Sequence, residues 1–134
     1  MVKIRDLNNR DYRTLLVFQK SMEWVEQVRI AAETLPDEGW EFAKKMLRAS
    51  SRVPTLMASG NSQFYLTIER ESYRKALNKA KEVQGLIETG FNSGYICEQD
   101  FEALNEKTDE LGMMLNAMRK KIAGEIEGKQ KCHN

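Results

Sequence analysis

The sequence is poor in the residues that most often carry chemistry. It contains one histidine, His133, and two cysteines, Cys97 and Cys132. The adjacent Cys132 and His133 are too few ligands for zinc, and the cysteine spacing fits neither a redox motif nor a disulfide framework. A glycine-rich phosphate loop and a nucleophile elbow are also missing. We therefore expect a protein that is not an enzyme and that uses no metal and no cofactor.

Long apolar runs and an excess of charge of one sign are absent as well. No apolar run approaches the roughly 20 residues of a membrane span, and the first residues lack the apolar core of a signal peptide. We therefore expect a cytoplasmic protein with no membrane partner. The chain has 21 Lys and Arg against 20 Asp and Glu, a net charge of +1. Any nucleic-acid site must therefore come from local segregation of positive charge.

Apolar periodicity predicts four helices in a single domain that spans residues 1–134. The pattern is most regular in helix four, where apolar residues recur at steps of three and four from Phe101 to Ile126, and Thr108 takes one apolar position. Acidic residues near the start of this helix and basic residues near its end complement the helix dipole. The predicted helices span about 9–34, 38–59, 62–91 and 98–127, followed by a flexible tail at 128–134.

Short connections join these predicted helices, near Pro36, Gly60 and Gly94. Four helices joined in this way predict an all-α fold, an antiparallel up-down-up-down four-helix bundle. The alternative is a pair of helical hairpins that completes its core only on dimerisation. Pro54 lies inside helix two and predicts a kink there, because proline removes one backbone donor and crowds the preceding turn.

Some apolar residues lie outside the main face of their helix. Trp24 is one of them, and it indicates either a wide buried face or a second interface. A second apolar stripe on helix three favours contact with another subunit, because no helix is central in a four-helix bundle. Aromatic residues are also enriched at interfaces, although filling the core is the alternative for each of them. The candidate interface residues are Trp24, Trp40, Leu66, Tyr73 and Leu77.

Basic residues are segregated most clearly on helix two. Lys44, Arg48 and Arg52 step by four along one face, Lys45 flanks them, and no acidic residue occurs from 42 to 68. This stripe predicts contact with the phosphates of RNA or DNA without base readout. The alternatives are a solvated face, or ion pairs across a subunit interface. Weaker candidates on helix three are Arg70 and Arg74, because neighbouring glutamates partly neutralise them.

Three segments together resemble a known family. They are Tyr-Arg-Thr-Leu-Leu-Val-Phe-Gln-Lys-Ser-Met at 12–22, Arg-Ala-Ser-Ser-Arg-Val-Pro-Thr-Leu-Met-Ala-Ser-Gly at 48–60, and the stretch 94–118, which begins Gly-Tyr-Ile-Cys-Glu-Gln-Asp-Phe. Their order and spacing are similar to those of the bacterial four-helix-bundle proteins named after reading frames in intervening sequences of large-subunit ribosomal RNA genes. The accessory variability determinant proteins of diversity-generating retroelements resemble the same family.

The resemblance implies a homo-oligomeric ring, commonly a pentamer, around a central channel. In the retroelement branch it also implies binding to nucleic acid and to the reverse transcriptase. The chain departs from the family in helix two, where Leu56 and Ser59 replace the usual Asn and Glu, and at Cys97, where a serine is usual. Two functions follow as hypotheses. The first is nucleic-acid binding or scaffolding through the basic stripe, and the second is a protein-interaction accessory subunit without phosphate contacts.

Overall fold

The computed structural model of the protein describes residues 11–133, with side chains through residue 130. This part of the chain forms four α-helices and no β-strand. Short 3-10 turns precede the first and the second helix, at Tyr12–Thr14 and Asp37–Gly39. The four helices are α1 (Leu16–Glu33), α2 (Trp40–Asn61), α3 (Leu66–Asn92) and α4 (Glu98–His133). The predicted all-α class is confirmed.

The helices pack in the order in which they follow one another along the chain. α2 packs against α1 and α3, α3 packs against α4, and α4 closes the bundle against α1. With short connections this order gives the predicted antiparallel four-helix bundle. One apolar core lies inside it, where Met46, Tyr73 and Leu115 have no exposed side-chain surface. The core closes within one chain, so the alternative of two hairpins that need a partner is wrong.

The first helix begins later than predicted. Residues 9 and 10 of the predicted helix lie outside the described residues. The Asp11 carboxylate accepts a hydrogen bond from the Arg13 amide, which organises a 3-10 turn. Leu15 then adopts an extended conformation, with φ of −71° and ψ of 125°, and α1 starts at Leu16. A hydrogen bond from a nearby backbone amide to a side chain competes with the backbone hydrogen bonds of a continuous helix.

The position of Gly60 predicts the end of the second helix, but the helix does not end there. α2 continues to Asn61, and Gly60 is buried against α3. A Cβ atom at Gly60 would lie 2.7 Å from Ser72 Cβ and 3.2 Å from Tyr73 Cε1. The missing side chain therefore allows close approach of α2 and α3 rather than ending α2. The third helix starts at Leu66, later than predicted, because Tyr65 is extended.

α2 contains Pro54 and continues through it. Pro54 has no N–H to donate to the carbonyl of Ser50, four residues earlier. The hydroxyls of Ser50 and Ser51 do not replace this donor. They donate instead to carbonyls three residues back, Ser50 to Leu47 and Ser51 to Arg48. The kink at Pro54 stays a prediction.

The last helix is longer than predicted, since it passes Gly128 and ends at His133. A glycine in a helix costs only about 1 kcal/mol relative to alanine, so one glycine does not stop it. Lys129 lies near the end, where positive charge complements the helix dipole. The predicted boundary at 127 is therefore wrong.

The turn between α3 and α4 fixes the register of these two helices. Gly94 has a φ of +82°, in the left-handed region that favours glycine. The amides of Tyr95 and Ile96 both donate to the carbonyl of Gly90 at 2.9 and 3.3 Å. Ile96 is then buried at the end of the bundle, and α4 begins directly after Cys97.

Candidate nucleic-acid interface

The basic stripe lies on the solvent side of α2. Its members are exposed, whereas Met46, Val53 and Met57 on the opposite side have no exposed surface. The helical period produces this separation, because residues four apart share a face and residues two apart do not. The structure therefore places all four predicted residues on one surface, namely Lys44, Lys45, Arg48 and Arg52.

These cations differ from many others in having no carboxylate partner. Among the described residues, none of the four has an Asp or Glu oxygen within 4.0 Å. Lys44 instead places its Nζ 4.1 Å from the ring centroid of Trp40, a cation–π contact. By contrast, Arg29 pairs with two glutamates of α1, and Lys79 lies 3.0 Å from Glu82. The α2 charges are thus available to an external anion.

Arg70 and Arg74 do not join this stripe. They line a groove between α3 and α4, and no residue of α2 lines it. Arg74 Nε donates to a carboxylate oxygen of Glu71 at 3.0 Å, and this hydrogen bond lowers the pKa of Glu71 below its usual value. The structure therefore divides the predicted basic residues between two separate surfaces.

The other basic residues that line this groove come from α4, and the sequence pattern alone does not identify them as site residues. They are Arg119 and Lys120, which in the sequence stand out only as basic residues near the end of the last helix. The signal that could have found them is the antiparallel pairing of α3 with α4. This pairing brings the start of α3 beside the second half of α4, so two basic pairs from distant parts of the chain meet.

Three candidate interface residues have their side chains in the core of the bundle. Leu66 and Tyr73 have no exposed surface and Trp24 is 2% exposed. The Tyr73 hydroxyl donates to Glu69 Oε2 at 2.5 Å, and the Trp24 indole donates to Thr108 Oγ1 at 2.9 Å. The physical reason is that each helix of a bundle has two neighbours. Leu66 and Tyr73 of the second stripe of α3 therefore pack inside the bundle.

The other two candidates reach the surface. Leu77 is partly buried and lines an opening between α3 and α4, and Trp40 is 54% exposed. A second apolar surface lies between α1 and α4, where a groove of about 330 Å³ includes Ile30, Ala103 and Leu104. Ile30 is 53% exposed. These residues are available for contact with another protein.

The described residues contain no group of three or more His, Cys, Asp or Glu side chains that could hold a metal ion. In this same part of the chain, no helix is long and apolar enough to cross a membrane.

A four-helix core closed within one chain and a basic solvent face define a class of small helical-bundle proteins. Within this class, a family model described as "23S rRNA-intervening sequence protein" matches residues 13–117, most of the chain. The chain belongs to this family. No curated protein matches it.

Comparison with solved structures supports the same fold. A crystal structure of a protein of unknown function from the S23 ribosomal protein family of Bacteroides thetaiotaomicron is similar, with a TM-score of 0.73. The two chains are 20% identical, and the match covers 78% of this chain and 99% of the other. At this identity the likeness concerns the fold alone.

Proposed function

We propose that this protein is a non-enzymatic, cytoplasmic nucleic-acid-binding scaffold that acts as a homo-oligomer. The observation that supports the proposal most is the set of four exposed α2 cations that have no carboxylate partner among the described residues. Paired cations would have to break an ion pair before meeting a phosphate, whereas these four do not. Because the stripe lies on a regular helix face and no base-reading motif accompanies it, the expected contact is with the sugar–phosphate backbone.

The expected strength of this interaction follows from counterion release. Each phosphate contact to duplex DNA contributes about 0.9 to the slope of log affinity against log salt. Four contacts from one subunit therefore correspond to a slope of about −3.6. A homo-oligomer, such as the pentamer that the family resemblance implies, repeats the stripe in each subunit. Several modest sites on one body can then hold a long nucleic acid by multivalent contact.

A charge-reversal variant tests the proposal. Replacing Lys44, Arg48 and Arg52 together by glutamate should abolish binding to structured RNA and duplex DNA while leaving helicity intact, because all three side chains are exposed. A matched control carries Lys20→Glu, Lys81→Glu and Lys121→Glu, three exposed cations on the other helices. It has the same net charge and should retain most of the binding. Equal binding by the wild type and the α2 variant would refute the assignment.

A second candidate function is protein interaction without phosphate contacts. The observation that favours it is the exposed Trp40 together with the apolar groove between α1 and α4. A reverse transcriptase is the partner that the resemblance to retroelement accessory proteins implies. If the α2 variant above retained such a partner while losing nucleic acid, the two functions would use separate surfaces.

A further inference from the structure

The groove between α3 and α4 has a composition unlike that of the rest of the surface. Its volume is about 330 Å³, within the usual range of small-molecule sites. Four cations line it against a single carboxylate, and one small side chain, Ala123, leaves room between them. The cations are Arg70 and Arg74 from α3 and Arg119 and Lys120 from α4.

Most of this positive charge is not offset within the chain. Arg74 pairs with Glu71, the one carboxylate of the groove. Among the described residues, Arg70, Arg119 and Lys120 have no carboxylate oxygen within 4.0 Å. Like charges held close together repel one another and oppose the compact state, so an anion in the groove would relieve an existing cost.

Arg119 is held in place and still has unused donors. Its Nη2 donates to Asn116 Oδ1 at 2.8 Å, which fixes the guanidinium against α4. Its Nε is buried and has no hydrogen-bond partner among the described residues. A buried donor without an acceptor is energetically unfavourable. Because the Asn116 contact already restricts the guanidinium, donation to an oxyanion in the groove would need little further ordering.

We propose that this groove binds a phosphate group, either of a small phosphorylated molecule or of a nucleic acid. Guanidinium groups match phosphate oxygens in a two-pronged geometry, and three of the four cations are arginines. The site does not depend on the α2 stripe, because it lies between a different pair of helices. It goes beyond the proposed function in placing a discrete phosphate pocket on the bundle.

Calorimetric titration with two kinds of probe tests this proposal. The first probe is inorganic pyrophosphate, and the second is a short single-stranded oligonucleotide with and without a 5′-phosphate. Binding of pyrophosphate, or of the 5′-phosphorylated strand alone, identifies a terminal phosphate as the ligand. Equal binding of both strands without pyrophosphate binding identifies the phosphodiester backbone. Absence of binding by every probe at low salt would overturn the proposal.

Substitutions of the groove cations test whether the observed binding takes place in the groove. The pair Arg70→Gln and Arg119→Gln should weaken binding at least tenfold, whereas Arg13→Gln and Arg29→Gln, which remove two paired cations elsewhere, should leave it unchanged. Unchanged affinity in the groove variant would refute the site. If that variant does not fold, Lys120→Gln replaces it, because this side chain is exposed.

Glu71→Gln provides a test in the opposite direction. It removes the carboxylate from the groove and releases Arg74, so phosphate affinity should rise severalfold. A role for these residues in folding alone predicts no such gain, and an unchanged or lower affinity would contradict the proposal. The α2 variant should keep full pyrophosphate affinity. Failure of the groove and failure of the α2 assignment can therefore be told apart.

Discussion

At the residue scale, a hydrogen bond between two core side chains connects the first and the last helix. Thr108 and Trp24 are each 2% exposed, and the indole N–H of Trp24 donates to the threonine hydroxyl at 2.9 Å. The same hydroxyl donates to the carbonyl of Leu104 at 2.7 Å. The threonine hydroxyl therefore both accepts and donates a hydrogen bond, although Thr108 occupies an apolar position of the α4 pattern.

Replacement of Thr108 by valine should destabilise the protein by about 1–3 kcal/mol, because it keeps the side-chain shape but leaves the Trp24 N–H buried without an acceptor. Urea unfolding followed by circular dichroism measures this loss. Thr108→Ser keeps the hydroxyl and should cost less than the valine variant. A valine variant as stable as the wild type would show that the hydrogen bond contributes nothing to stability.

Both residues were exceptions to the apolar periodicity, and the sequence could not connect them. Thr108 interrupts the stripe of α4, and Trp24 lies off the main stripe of α1. They meet because α1 and α4 are neighbours in the closed bundle, and this contact joins residues 84 positions apart. Periodicity describes one helix at a time, so it identifies such residues without identifying their partners.

At the element scale, the approach of α2 to α3 depends on Gly60. Alanine at an ordinary helix position is about 1 kcal/mol better than glycine. At Gly60 the added methyl would lie 2.7 Å from Ser72 Cβ, so the helices would have to move apart. Gly85 on α3 is the matched position, since a Cβ there has no neighbour within 4 Å.

We expect Gly60→Ala to lower the free energy of unfolding and Gly85→Ala to raise it by up to about 1 kcal/mol. Thermal unfolding of the two variants beside the wild type measures both changes. Stabilisation by both substitutions would contradict the close approach of α2 and α3 at Gly60.

Helix number and order could be predicted from the sequence, whereas several boundaries could not. The pattern of α4 is long and regular, so its existence followed from periodicity alone. Its antiparallel direction followed from the short connection that precedes it. The errors at Gly60 and Gly128 have a common cause. Glycine near a predicted helix end favours termination, but α2 needs Gly60 for packing and α4 simply continues past Gly128. Tertiary packing decides between these outcomes, and one sequence does not reveal it.

At the scale of the whole molecule, the apolar residues left on the surface bear on self-association. Trp40 is 54% exposed, with Lys44 over its ring. Exposure of a tryptophan is typical of a contact surface, because aromatic side chains often dominate interface energetics. Of the five candidate interface residues, Trp24, Leu66 and Tyr73 are buried in the core, whereas Trp40 and Leu77 reach the surface.

If the protein is a homo-oligomer that uses this surface, Trp40→Glu should lower its molar mass in sedimentation at micromolar concentration. The helix content should stay unchanged, because the side chain is largely outside the core. Met113→Glu is a control at another exposed apolar position, since Met113 is 68% exposed. An unchanged assembly in the Trp40 variant would place the interface elsewhere.

The candidate site was predicted in part. A step of four residues along α2 was sufficient to find its basic face, because residues four apart on a helix share a side. The sequence could not show that these residues, Lys44, Lys45, Arg48 and Arg52, have no carboxylate partner in the part of the chain that the structure describes. It could not join Arg70 to Arg119 either, because that groove exists only once α3 and α4 are packed antiparallel.

The most direct test of the phosphate-binding account is the salt dependence of nucleic-acid binding by the purified wild-type protein. Binding to structured RNA and duplex DNA would be measured by fluorescence anisotropy from low to physiological salt. The account predicts clear binding at low salt, with log affinity falling against log salt at a slope of about −3.6 or steeper. Absence of binding even at low salt would contradict it, and would assign the α2 cations to solvent or to contacts with another protein.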